Sequence, residues 1–176
     1  MIITTRIDTP IGILIAGAVE DGICLLEFED RKMLKAEYKS LEKYLQTSIE
    51  EGESKHFKVL VSQLNEYFTG KRKEFSVPLL TPGTDFQQAV WQELLKIPYG
   101  TTRTYQEQAN NLDKPLSIRA VANANGMNRI AVIIPCHRVI GSDGSLTGYG
   151  GGLTRKKWLL ELEKRYSGKA FDQTLF

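Results

Sequence analysis

Two apolar runs, IGILIAGAV (11–19) and GICLLEF (22–28), meet at Glu20, Asp21 and Gly22. Runs of that length broken by a short polar turn predict a β-hairpin. Helical periodicity follows at once. MLKAEYKSLEKYLQTSI puts Leu34, Tyr38, Leu41 and Leu45 on one stripe, and FKVLVSQLNEYF does the same with Phe57, Leu60, Leu64 and Phe68, so two amphipathic helices are expected over a sheet. Thr81, Pro82 and Gly83 then break the pattern, which places a linker between an N-terminal α/β domain (1–80) and a second domain (84–176). At 176 residues with 41% hydrophobic composition, the chain can bury a core in one domain or two small ones.

The second part reads as mostly helical. Thr84 and Gln87 form a capping box ahead of an apolar stripe of Phe86, Val90 and Leu94, and Pro98 stops that helix. Thr104 and Glu107 make a second capping box for a short helix reaching Asn110 or Asn111. LSIRAVANANG predicts another helix, closed by Gly126 at its C-terminal cap. Two short helices joined by a tight turn describe a helix-turn-helix or an ordinary helical hairpin equally well.

Charge favours an anionic partner for this half. Residues 101–160 hold eight basic side chains against three acidic ones, a local +5 in a chain whose total is +2. Ala120, Ala122 and Ala124 trim the second short helix so that it can approach a backbone closely, although tight helix packing uses the same residues. Arg119, in its first turns, opposes the helix macrodipole and calls for a compensating ligand or acidic neighbour.

IAVIIP is a β-branched run of the kind that forms a buried strand, ended by Pro135. Cys136 is expected just past it, where the backbone can turn and bring Cys136 and His137 to one side. A cysteine needs its thiolate to act as nucleophile, a neutral histidine can take the proton, and a carboxylate orients that histidine. Glu161 and Glu163 of the last helix, TRKKWLLELEKRY, are both open to that role. Packing with a surface imidazole is the plainer account of the same dipeptide.

Several classes are set aside. Cys24 and Cys136 make no disulfide framework, and Cys24 with His56 has no second ligand at metal-site spacing, so no metal is expected. No apolar run reaches membrane-spanning length, and MIITTRIDTPIG lacks the basic segment and apolar core of a signal peptide. The expectation is a cytoplasmic protein without a membrane partner.

IPCHRVIG, together with IPYGTTRTYQEQA, RAVANANGMN and GYGGGLTRKKWLLELE, strongly resembles the O6-alkylguanine-DNA alkyltransferases, or methylated-DNA-protein-cysteine methyltransferases. The match runs over about residues 84–166. The resemblance implies an α+β fold: a small ribonuclease-H-like α/β domain, then a mostly helical domain with a helix-turn-helix and the active-site cysteine. It implies irreversible transfer of the alkyl group of O6-alkylguanine, and of O4-alkylthymine, to Cys136, once per molecule and without a cofactor. The partner is double-stranded DNA, bound by a monomer through the minor groove, with the damaged base flipped out because a stacked O6 is out of a thiolate's reach.

Residue by residue, the resemblance makes Cys136 the acceptor and His137 the base acting through a water. It selects Glu163 over Glu161 as the orienting carboxylate, and sets the Tyr105 hydroxyl near guanine N3. Arg119 becomes the side chain that fills the space of the flipped nucleotide. Ala120, Ala122, Asn123, Ser117 and Thr104 fall on the DNA side. Asn128 braces the helix-turn-helix against the cysteine segment. Val139 and Cys136 offer carbonyls to the guanine amino group, and Tyr149, Gly150 and Gly151 belong to the loop closing the pocket. Arg129 stands where the family commonly has proline, which predicts a looser turn. Gly150 stands where some members have serine, which predicts a backbone N–H donor to O6 and a roomier pocket. Two rival classes remain: a damage-recognising module, which Cys136 argues against, and a redox-sensing regulator, which leaves Tyr105, Arg119 and Glu163 unexplained.

Overall fold

The computed structural model describes residues 1–168; residues 169–176, the end of the expected second domain, lie outside the described residues. The chain divides into two compact units. The first comprises residues 1–83 with 129–131, and the second comprises 84–128 with the chain from 132 onward.

The first unit is built on a four-stranded sheet in the order β3-β2-β1-β4. Strands β1 (Ile2–Thr9), β2 (Gly12–Val19) and β3 (Gly22–Phe28) form an antiparallel meander, and β4 (Ile49–Glu51) runs parallel to β1. The expected hairpin is β2-β3. The strand before it, β1, buries Ile2 and Thr4 on one face and Ile7 on the other, and β3 is buried along its whole length. Helices α1 (Leu34–Leu45) and α2 (Lys55–Phe68) supply cover. Leu41 is buried with Ile2, Ile15, Cys24 and Leu25, and Leu34, Tyr38 and Leu45 pack against that cluster. All four predicted stripe residues of α2 are buried.

Residues 129–131 complete the free edge of β3. The Leu26 amide donates to Arg129 O and the Ala131 amide donates to Leu26 O, each at 2.8 Å. The looser turn expected at Arg129 is absent. Its guanidinium is buried, donating from Nε to Pro82 O (3.1 Å) and from Nη2 to Ser40 Oγ (2.9 Å), and it lies 5.6 Å from the Tyr44 ring centroid. A proline there could make none of these contacts.

In the second unit, α3 (Asp85–Leu95) and α4 (Tyr105–Asn111) each start with a complete capping box, from Thr84 with Gln87 and from Thr104 with Glu107. Helix α5 (Ile118–Gly126) differs from expectation at its end. Gly126 is its last helical residue, and Met127 follows as the cap with φ −90°, so no left-handed glycine closes it. Gln108 and Asn125 exchange two buried amide hydrogen bonds of 2.7 Å, tying α4 to α5. Trp91 Nε1 on α3 donates to Ala124 O at 2.9 Å. The orientation of α5 is therefore fixed by directional bonds as well as by packing.

The expected strand over IAVIIP does not form. Ile130 makes one bridge with Leu26, and the chain then turns through 131–134, with Val132 at φ +69°. Residues 130–135 are all buried. Burial selected those apolar side chains, and apolar composition alone does not distinguish a strand from a buried turn. Two-residue strands β5 (Arg103–Thr104) and β6 (Val139–Ile140) pair in parallel, and α6 (Leu153–Tyr166) closes the unit. Among the described residues no helix is long and apolar enough to cross a membrane.

Candidate active site

Cys136, His137 and Arg138 occupy a single 3-10 turn entered from Pro135. The turn serves the purpose a strand could not, because it avoids the alternation that sends neighbouring side chains to opposite faces. His137 is fully buried and Cys136 is partly exposed. The Asn128 amide donates to Ile134 O at 2.8 Å and to Cys136 Sγ at 3.3 Å. It therefore fixes the turn and offers a donor to negative charge on sulfur.

Glu163 comes to the same place from α6. Its Oε1 accepts from His137 Nε2 at 2.9 Å. Arg138 donates to it from Nη2 at 2.7 Å and from Nε at 2.9 Å to Oε2, while Arg138 Nη1 donates to Ile97 O at 2.7 Å. Glu161, one helical position pair away, is half-buried, and its carboxylate lies 3.9 Å from Lys157 Nζ.

The electrostatics assign the protons. Burial alone would raise the Glu163 carboxyl, but the His137 and Arg138 partners outweigh it and hold it at about 2. Burial pulls the His137 imidazole below its ordinary range, against the opposing pull of Glu163. At neutral pH the pair is thus a carboxylate and a neutral imidazole. The Nε2 proton is engaged with the carboxylate, which leaves the lone pair on Nδ1. His137 Nδ1 is buried and has no partner among the described residues, as a base awaiting a proton requires.

Tyr105 opens α4, and its hydroxyl donates to Thr147 O at 2.8 Å. Burial raises its hydroxyl above the ordinary tyrosine range, so it stays a donor at neutral pH. Tyr149 presents its ring edge-on to His137, centroids 6.5 Å apart. Gly150 is exposed and Gly151 half-buried. Gly148 in the same loop has φ +56°, a backbone conformation that favours glycine, while a Cβ there would make only an ordinary contact of 3.5 Å with Tyr105 Oη.

Lys156 and Arg138 received no role from the sequence. Lys156 is fully buried on α6 and donates to three carbonyls: Val139 O, Thr147 O (2.9 Å) and Gly148 O (3.3 Å). Its Nζ lies 5.9 Å from the Tyr105 ring centroid, and burial lowers the ammonium to about 8. The Val139 carbonyl, expected to face guanine, is thus already an acceptor, with one lone pair left. A signal for Lys156 existed. It stands seven residues before Glu163, with Leu160 between them, on the inward face of one helix.

The residues expected to meet DNA are arranged differently. Arg119, Ala120 and Asn123 are exposed on α5, Ala122 and Ser117 are half-buried, and Arg119 has no ion pair among the described residues. The Ser117 hydroxyl makes no cap bond, whereas Thr104 Oγ1 accepts from the Glu107 amide at 3.1 Å as the cap of α4. No group of three or more metal-ligating side chains occurs among the described residues.

Comparison with known proteins agrees in both halves. Residues 2–81 match the family described as 6-O-methylguanine DNA methyltransferase, ribonuclease-like domain, and residues 85–165 match its DNA binding domain. The methylated-DNA–protein-cysteine methyltransferase of Mycobacterium tuberculosis H37Rv is 58% identical over 120 residues, 68% of this chain and 72% of that one. The protein of the same name from Methanosarcina barkeri is 45% identical over 159 residues, 90% and 94% of the two chains. A crystal structure of Mycobacterium tuberculosis O6-methylguanine methyltransferase is similar with TM-score 0.79 and 45% identity, covering 100% of this chain and 99% of that one. The same organism's OGT in complex with DNA gives TM-score 0.80 and 44% identity, with 99% of each chain covered. With both of its halves matched and relatives aligned along nearly all of its length, the chain belongs to the methylated-DNA–protein-cysteine methyltransferase family.

Proposed function

We propose that this protein repairs DNA by transferring the alkyl group of O6-alkylguanine to its own Cys136, one group per molecule. The observation that carries the residue assignment is the buried set in which Glu163 holds Arg138 and the Nε2 side of His137, leaving Nδ1 without a hydrogen-bond partner among the described residues. The Cys136 thiol gives its proton to Nδ1, directly or through one water, and the carboxylate stabilises the imidazolium that forms. Sulfur then attacks the alkyl carbon, the S–C bond forms as the O6–C bond breaks, and guanine leaves with the bonding pair. Tyr105, as a protonated hydroxyl, exchanges its Thr147 acceptor for guanine N3 and offsets charge on the departing base. The product is a thioether together with guanine that has recovered one proton, and no cofactor enters the balance.

The reaction requires a base taken out of the stack. Arg119, exposed and without an ion pair among the described residues, takes the vacated space, and α5 meets the minor groove through Ala120, Ala122 and Asn123, with Ser117 and Thr104 at its margin. That groove shows a degenerate pattern, so sequence preference is low. Asn128, Val139, Tyr149, Gly150 and Gly151 form the base pocket. O4-alkylthymine is a second substrate, the protein acts as a monomer, and it works in the cytoplasm. Residues 84–176 form the DNA-binding and alkyl-acceptor domain.

The test is an equimolar reaction with a duplex carrying one O6-methylguanine, read by intact mass and by the peptide containing Cys136. The expected result is a gain of one methylene on Cys136, stopping at one per protein and absent in Cys136→Ala. Tight lesion-dependent binding with unchanged mass would make the protein a damage-recognition module instead.

A further inference from the structure

The exposed face of α5 is unusual for a solvated helix. Ile118, Arg119, Ala120, Asn123 and Gly126 are its exposed positions; none is acidic, and Arg119 is the one charged side chain among them. Leu116, in the turn just ahead of α5, is 99% exposed, far beyond Ile118 at 36%. Among the large apolar side chains exposed in the described residues, the next is Met1 at 59%.

The backbone presenting Leu116 is tied down. Asp113 takes φ +55°, the Lys114 amide donates to Ala109 O at 2.9 Å, and the Ser117 amide donates to Lys114 O at 2.9 Å. Gln106 Nε2 on α4 donates to Pro115 O at 3.2 Å. The leucine therefore projects from a turn fixed on both sides, and it is bracketed by two exposed cations, Lys114 and Arg119.

We propose that Leu116 is an apolar wedge that enters the DNA minor groove beside Arg119 and packs against the base step next to the displaced nucleotide. This rests on the DNA reading given under Proposed function. Charge decides between occupants, because an apolar tip between two cations and beside a trimmed helix face suits a polyanion with an apolar interior. Size decides too. Stable protein partners cover roughly 1,200 Å² or more in total, well beyond two aliphatic side chains, whereas groove binders commonly insert one or two such wedges between base steps.

The experiment uses the full chain in a Cys136→Ala background, so that affinity is read without chemistry, and a duplex with one O6-methylguanine next to a 2-aminopurine. Leu116→Ala is expected to weaken binding about tenfold, the scale of losing a buried leucine contact. It should also reduce the fluorescence gain that reports unstacking at the neighbouring step. Leu116→Met should restore most of both, and the salt dependence of binding should keep its slope, since an apolar contact releases no counterions. Unchanged affinity and fluorescence in Leu116→Ala, or a loss that comes with a shallower salt slope, would overturn the wedge. Alkyl transfer by the parent protein is measured separately by mass, so failure of the repair reading is distinguishable from failure of the wedge.

Discussion

Glu163→Gln isolates one charge at nearly constant volume. In the parent protein the buried carboxyl is held at about 2 against an ordinary 4.5, and at about 1.4 kcal/mol per pH unit that gap is about 3 kcal/mol of stability. Breaking a buried ion pair costs about 3–5 kcal/mol, so the two routes agree in scale. Because the folded carboxyl is depressed, the contribution is fully present above pH 4.5 and is lost as pH falls toward 2. Urea unfolding should therefore show Glu163→Gln less stable than the parent by about 3 kcal/mol at pH 7, with the difference shrinking toward zero near pH 2. Both tryptophans, Trp91 and Trp158, lie in the second unit, so their fluorescence reports the part of the chain that holds Glu163. A difference below about 1 kcal/mol at pH 7, or one that stays constant with pH, would refute the argument.

Alkyl transfer in Lys156→Met should slow by about tenfold or more, because Thr147, Gly148 and Val139 lose their shared donor, and single-turnover kinetics on the methylated duplex would check this. Cys24 is fully buried with its thiol pushed up to about 11. A thiol reagent should accordingly label one cysteine in the native protein and a second only after denaturant is added, as counted by mass. Arg129→Ala should lower the stability of the first unit by about 2 kcal/mol, since it removes the bonds to Pro82 and Ser40, and thermal unfolding measures that. If Gly150 opens the pocket, transfer rates from O6-benzylguanine and O6-methylguanine duplexes should be comparable; a strong preference for methyl would count against it.

The pattern of apolar residues was enough for the β2-β3 hairpin and the stripes of α1 and α2, and the spacing of Thr84 to Gln87 and of Thr104 to Glu107 was enough for both capping boxes. These depend on neighbours within about four positions, where side chains meet through local geometry alone. The IAVIIP segment was misread for the complementary reason. Its composition records burial, while its turn depends on the pairing of Ile130 with Leu26 and on Val132 at positive φ, neither of which leaves a periodic trace. Arg129 likewise looked like a loosened turn, and its anchors at Ser40 and Pro82 lie 89 and 47 residues away.

By itself the sequence determined the cysteine, the histidine beside it, the basic half and, through resemblance, the family, because nucleophile type and short motifs are carried by residue identity. Residue spacing left Glu161 and Glu163 open and the resemblance selected Glu163; tertiary structure brings that carboxylate to His137, and it alone decided that Arg138 completes the ion pair and that a buried Lys156 gathers the carbonyls of the 147–148 loop and Val139. Those assignments rest on which face of α6 is turned inward, and on burial that makes a charge costly unless partners from distant segments converge on it.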